Sequence, residues 1–239
     1  MGKGWRMYGA TVRGPGHIAS GLPNQDSWSR RHRSWGDVLV VSDGVGSKPK
    51  AQYGSRAACK AVARALQDRH AVVDGHLDVV KSQWLSFVAP FDANDCAATC
   101  LFVARPDAGP IQVGILGDGL GAVLKVDGTV EFVEYSKSAG FANVTTALSA
   151  STTANDWKFA RFAQEEVQAV VLCTDGIADD LEQATRSDFV LEWTSQFSAL
   201  SDTAAGRRIR EMMRTWPVPG HRDDKTMACL VRRGRRQVP

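Results

Sequence analysis

Three apolar runs in this chain end in the same dipeptide, Asp-Gly: VLVVSDGVG around Asp43, VGILGDGLG around Asp118 and AVVLCTDGIADD around Asp175. A fourth apolar run, HRDDKTMACLV, opens on an acidic pair, Asp223 and Asp224. A run such as Val38-Leu39-Val40-Val41 has no polar alternation and reads as a strand covered on both faces. An unpaired carboxylate at the end of such a strand is costly to bury, so several gathered together demand positive charge between them. A divalent cation held by carboxylate oxygens meets that demand, and glycine lets the backbone come close to it. Any single Asp-Gly is also a hairpin-turn signal, and GILGDGLGAVL around Asp118 stays open to that plainer reading. Asp26, in GLPNQDSW, precedes Asp43 by 17 residues and joins the candidate set; alone it would read as a turn or cap residue.

With 239 residues, 44% of them hydrophobic, the chain is long enough to bury a substantial core in one domain spanning 1–239. Its net charge of +3, from 29 basic and 26 acidic residues, is too small to argue for a nucleic-acid partner. The run Arg30-Arg31-His32-Arg33 and the basic tail over 232–239 read as solvated surface, with phosphate contact as the alternative. The five cysteines (Cys59, Cys96, Cys100, Cys173 and Cys229) form no Cys-x-x-Cys pair. Most lie in apolar runs and read as small buried hydrophobes of a reducing compartment. The first residues have no apolar signal core, and no stretch reaches the roughly 20 apolar residues of a membrane span. The expectation is therefore a cytoplasmic protein with no membrane partner.

Periodicity and breaker residues predict strands over 5–12, 38–42, 96–104, 111–116, 121–126, 130–134, 167–173 and 225–231. Helices are predicted over 51–69, 78–87, 188–197 and 203–214. Residues 14–24, opening on Gly-Pro-Gly, are expected to form a loop. Strands and helices without regular βαβ alternation point to an α+β fold. Residues 135–157 are rich in Ser, Ala, Thr and Asn and read as a surface loop.

Taken in order, NQD at 24–26, DGVG at 43–46, ATCLFVA at 98–104, GILGDG at 114–119, LCTDGIADDL at 172–181 and DDKT at 223–226 resemble the metal-dependent protein phosphatases. This is the type 2C Ser/Thr family, in its compact bacterial form. The resemblance runs from about Gly9 to Arg232, and DGVG and TDGIADDL are its most specific pieces. It implies two stacked, mostly antiparallel sheets flanked by helices, an α/β/β/α sandwich. It also implies hydrolysis of phosphoserine and phosphothreonine by water activated between two Mn²⁺ or Mg²⁺ ions, with room for a third. All-oxygen ligands without a His or Cys cluster suit those ions. The implied partners are a phosphorylated protein substrate, a cognate Ser/Thr kinase and that kinase's targets. The segment over 135–157 would be the flap beside the cleft, with NVTTALS at 143–149 as its closing stretch.

By the same resemblance, Asp43 bridges both metals and the Gly44 carbonyl completes the second site. Asp175 and Asp223 hold the first metal, Asp26 holds metal-associated water, and Asp118 stands as a looser third-metal ligand. Asp224 occupies a position usually Asn, where its charge either raises metal affinity or points to solvent. Two departures stand out. Gln25 replaces a common Glu, and Gly21 stands where an Arg usually grips the phosphate. Arg13 and His17, on the same loop, are the candidate substitutes, each also readable as a surface or loop residue. His70, His76 and His221 carry no functional argument. Two competing functions remain: a pseudophosphatase acting as a regulatory binding module, favoured by the missing Arg, and a hydrolase of small phosphoesters.

Overall fold

The computed structural model describes residues 4–67, 74–135, 146–197 and 199–233. Along the chain the elements are β1 (Trp5–Val12), α1 (Pro15–Ser20), β2 (Ser27–Arg33), β3 (Gly36–Ser42), α2 (Ala51–Ala65), α3 (Asp74–Val88), β4 (Cys100–Pro106), β5 (Ile111–Leu116), β6 (Leu120–Lys125) and β7 (Val130–Val133). Then follow β8 (Lys158–Phe162), β9 (Val167–Cys173), α4 (Asp175–Ala178), α5 (Arg186–Gln196), α6 (Asp202–Arg214) and β10 (Lys225–Arg232). The strands form two five-stranded sheets, ordered β1-β10-β9-β6-β7 and β2-β3-β4-β5-β8. Every pairing between these strands is antiparallel.

Side-chain alternation along each strand sorts the core into layers. On β3, Leu39 and Val41 join Leu101, Ile115, Leu172 and Leu230 between the two sheets. Val38 and Val40 instead face α2 and α3, with Ala58, Val62 and Trp84. On the far side, Tyr8, Val171 and Cys229 pack against Trp193, Phe197 and Ile209 of α5 and α6. Helices thus cover the outer face of each sheet, the α/β/β/α arrangement that the sequence resemblance implies. It also explains the unbroken apolar runs, since both faces of the central strands are covered.

Four local features differ from expectation. The segment expected to be a loop over 14–24 contains α1, which starts with Pro at its first turn and ends at Gly21 with φ 72. None of its residues is buried, so it shows no apolar period. Strand β2 holds no fully buried residue, yet it pairs with β3 from Ser27↔Ser42 to Arg33↔Gly36. Its basic side chains are largely occupied within the fold. Arg30 donates to the Met7 carbonyl and to Asp202, and Arg33 donates to the Ala63 carbonyl. Edge strand β8 is the third surprise, and it pairs with β5. Lastly, the Gly117-Asp118-Gly119 turn joins β5 to β6, which lie in different sheets, so the plain hairpin reading does not hold. All five cysteines are free and buried. Among the described residues, no helix is long and apolar enough to cross a membrane.

Candidate active site

Antiparallel register gathers the acids at one end of the sandwich. Ser27 pairs with Ser42, so Asp26 at the start of β2 and Asp43 at the end of β3 lie side by side. Cys173 pairs with Met227, which sets Asp175, beyond the end of β9, against the start of β10. Val12 pairs with Lys225, bringing Arg13 and Gly14 beside the Asp223-Asp224 pair. Asp118 enters from the β5–β6 turn at the same end. The backbone there is closely fitted. The Asp43 N–H donates to Thr99 Oγ1 at 2.9 Å, and the Thr99 N–H returns a bond to the Asp43 carbonyl at 2.7 Å. Gly44 donates to the Gln25 carbonyl at 3.1 Å and Val45 to the Ala97 carbonyl at 2.9 Å. On the other sheet, Gly176 abuts β10 so tightly that a β-carbon on it would lie 2.0 Å from the Asp224 carbonyl oxygen.

The carboxylates raise one another's proton affinity. Burial, then the adjacent Asp26 and Asp175 charges, hold Asp43 well above the usual carboxylate range. Burial leads for Asp175 too, followed by Asp118 and Asp26, and pushes it up to about 7. Asp26 is raised to about 6, chiefly by burial and also by Asp224, against hydrogen bonds that favour its charged form. One of those comes from Thr174 Oγ1 to Asp26 Oδ2 at 2.9 Å. Its other oxygen, Oδ1, is buried without a hydrogen-bond partner, as is Oε1 of the neighbouring Gln25. Asp43 donates to Asp26 only while Asp43 itself is protonated.

Two orphaned buried oxygens on consecutive residues, beside acids that repel one another, match the donor set of a hard divalent cation. Among the described residues no group of three or more His, Cys, Asp or Glu side chains is placed to hold a metal ion by itself. Mg²⁺ and Mn²⁺ do not need one, because Mg²⁺-like ions keep several waters and use only one or two carboxylates each. The residues present therefore fit such ions.

The structure distributes the sequence candidates unevenly. Asp26, Asp43, Asp118 and Asp175 form one interacting group. Asp223 is exposed, while Asp224 is buried. Of the two alternatives for Asp224, the one in which it points to solvent is thus excluded. Its Oδ1 accepts from Gly14 N–H at 2.7 Å, and its Oδ2 accepts from Gln25 N–H at 2.6 Å and pairs with His17 Nδ1 at 2.9 Å. Those three bonds hold α1 and the start of β2 against β10. His17 is therefore engaged by an acid, and Arg13 donates to the Leu22 carbonyl at 3.2 Å. Gly21 lacks the usual Arg for a structural reason: it is the left-handed cap of α1. Thr99 and Thr174 were missed as positioning residues. The available signal was a hydroxyl residue interrupting an apolar run, as in ATCLFVA and LCTDG. Of the flap-like segment over 135–157, residues 136–145 lie outside the described residues, as does the tail beyond 233. The closing stretch is anchored by Leu148 N–H donating to the Ala98 carbonyl at 2.8 Å.

Comparison with curated proteins finds no match. Solved structures of the same architecture are numerous. The serine/threonine phosphatase Stp1 from Staphylococcus aureus superposes with a TM-score of 0.72 at 12% identity, covering 98% of this chain and 97% of that one. The photosystem II phosphatase PBCP gives 0.67 at 15% identity, covering 95% and 98%. PppA, a regulatory component of T6SS in Pseudomonas aeruginosa, gives 0.64 at 16% identity, covering 96% and 98%. At these identities the likeness establishes the fold. The sequence itself matches the family model described as protein phosphatase 2C over residues 13–214, and the chain belongs to that family.

Proposed function

We propose that this protein is a metal-dependent protein serine/threonine phosphatase. The observation that carries the reading is the buried acid cluster of Asp26, Asp43 and Asp175 with Asp118, whose members repel one another and whose Asp26 Oδ1 has no partner. Asp43 would hold both Mn²⁺ or Mg²⁺ ions, the Gly44 carbonyl the second, Asp175 and Asp223 the first, Asp26 the water beside them, and Asp118 a third. When bound, such ions supply water activation and neutralise charge on the phosphoryl oxygens. The chain's own residues do the positioning. Thr99 clamps the Asp43 backbone, Thr174 orients Asp26, and Asp224 fixes the loop carrying Gln25. Retention of Asp43, Asp175 and Asp223 speaks against a pseudophosphatase. A phosphoprotein substrate and its kinase would be the partners, in keeping with relatives whose names describe phosphatases.

The test is release of phosphate from a phosphothreonine peptide with Mn²⁺, with Mg²⁺ and with a chelator. We expect hydrolysis with either ion and none after chelation. Undiminished activity in exhaustively metal-free protein would overturn the reading. Faster turnover of a nucleotide monophosphate than of the peptide would move the assignment to small phosphoesters.

A further inference from the structure

Next to Asp223, between the end of β1, α1, α6 and the start of β10, lies a cavity of about 410 Å³ whose lining is strongly cationic. Arg13, Arg210, Arg214 and Lys225 contribute four basic side chains, against the single carboxylate of Asp223. Lys225 is largely buried and shares its charge with Asp180 at 3.5 Å, over the Trp216 ring. Arg13, Arg210 and Arg214 form no ion pair among the described residues. Arg210 and Arg214 stand four residues apart on α6, so they project from one face, where like charges repel. Arg214, in the last turn, has the helix dipole to offset it; Arg210, one turn earlier, has less. A fifth residue lining the cavity, His221, has a buried Nδ1 with no hydrogen-bond partner. An unpartnered ring nitrogen and a like-charged arginine pair around one cavity both point to an anion.

The cavity shares a wall with the site described above. Arg13 and Gly14 line it, and Gly14 N–H binds the Asp224 carboxylate that faces Asp26. Asp223 lines it, one residue before Asp224. The cavity and the acid cluster therefore adjoin through Gly14 and the Asp223-Asp224 pair, close enough for one extended substrate chain, at roughly 3.3–3.6 Å per residue, to lie across both.

Resting on the phosphatase reading, we infer that this cavity is a second anion subsite. It would receive an acidic or phosphorylated side chain of the substrate polypeptide near the phosphoresidue being hydrolysed. Arg210 and Arg214 would be the specificity-determining pair. Neither belongs to the acid cluster, and both are exposed on α6, so replacing them leaves the fold and the chemistry in place.

The test uses matched phosphothreonine peptides that carry Ala, Asp or phosphoserine three residues from the phosphothreonine, on either side. The full chain is compared with Arg210→Gln/Arg214→Gln and with Arg210→Gln alone. We expect the unaltered protein to prefer a peptide with the added anion by roughly three- to tenfold in KM, from a few partly exposed charge pairs. The double variant should lose that preference while hydrolysing the Ala peptide and p-nitrophenyl phosphate unchanged. Preference for both Asp and phosphoserine would show a general anion site, and preference for phosphoserine alone a phosphate site. No preference in the unaltered protein, or a preference kept in the double variant, would overturn the inference. Fluorescence anisotropy of the same labelled peptides in EDTA reads binding without turnover. Anion-dependent affinity that Arg210→Gln/Arg214→Gln abolishes would support the subsite even in a protein that hydrolyses nothing, whereas charge-independent affinity would refute it.

Discussion

Asp43 lies where three kinds of constraint meet: its backbone is clamped by Thr99, its side chain faces Asp26, and its proton affinity is raised by burial and by Asp175. Removing its charge should therefore have opposite effects on chemistry and on folding. Asp43→Asn is expected to lower turnover by more than about 100-fold, beyond the 10–100-fold typical of losing a ligand's supporting partner. In metal-free protein at pH 8 it should raise stability by on the order of 1 kcal/mol, by relieving repulsion. Phosphate release and a melting curve on the same preparation check both. A second expectation concerns pH. Asp26 and Asp175 titrate near 6 and 7 in the folded protein, against 3.8 when unperturbed. The folded state thus binds more protons than the unfolded state between about pH 4 and pH 7, so metal-free stability should fall as pH rises through that window. Because these acids interact, the loss should be read as a property of the cluster. Melting curves in EDTA from pH 5 to pH 8 would show a declining Tm, and a Tm that climbs would contradict the assigned shifts. Asp43, Asp118 and Asp175 were legible in the sequence because each closes an apolar run, whereas Asp26, in GLPNQDSW, alone reads as a turn or cap residue. Asp224 was harder to place, since nothing local says that its two oxygens meet Gly14, Gln25 and His17 from distant segments.

At the level of elements, the close approach of α4 to β10 has a direct test. A β-carbon at position 176 would press on the Asp224 carbonyl, which is backbone and cannot swing aside. Gly176→Ala should cost about 3 kcal/mol, at the upper end of overpacking, and weaken turnover by shifting the adjacent Asp175. Urea unfolding and phosphate release measure the two effects, and an unchanged midpoint would mean that α4 can move away. The elements read correctly from sequence were those with two covered faces or a clear apolar stripe: β1, β3, β5, β9 and α2. Those missed were held by other means. Strand β2 gains its place from pairing with β3 and from arginines that reach backbone carbonyls, none of which leaves an apolar pattern. Helix α1 is marked by its ends, Pro15 and Gly21, and breakers at both ends of six residues look like a loop. A continuous apolar run was read as a strand with two covered faces, which is correct, but such runs are usual in parallel sheets, and here the neighbours are antiparallel.

Across the whole molecule, the acids are shared out between the layers. Asp43 follows a strand of one sheet and Asp175 a strand of the other, while Asp118 sits in the turn that crosses between them. The sandwich can be pictured as a book whose pages are the two sheets, with like charge lining one open edge. An ion seated there would act as a clasp. Its binding energy would enter folding directly, at about 2.7 kcal/mol for a concentration 100 times Kd. Adding Mn²⁺ should therefore raise Tm, and hydrogen exchange should slow most at the clasped edge, at the amides of Thr99, Thr174 and Thr226, with little change at Val38 or Ala169 near the other. Uniform slowing along the strands would contradict this picture. The clasp also works in reverse: with Leu39, wholly buried between the pages, trimmed to Ala, more Mn²⁺ should be needed to keep the book shut at a given temperature.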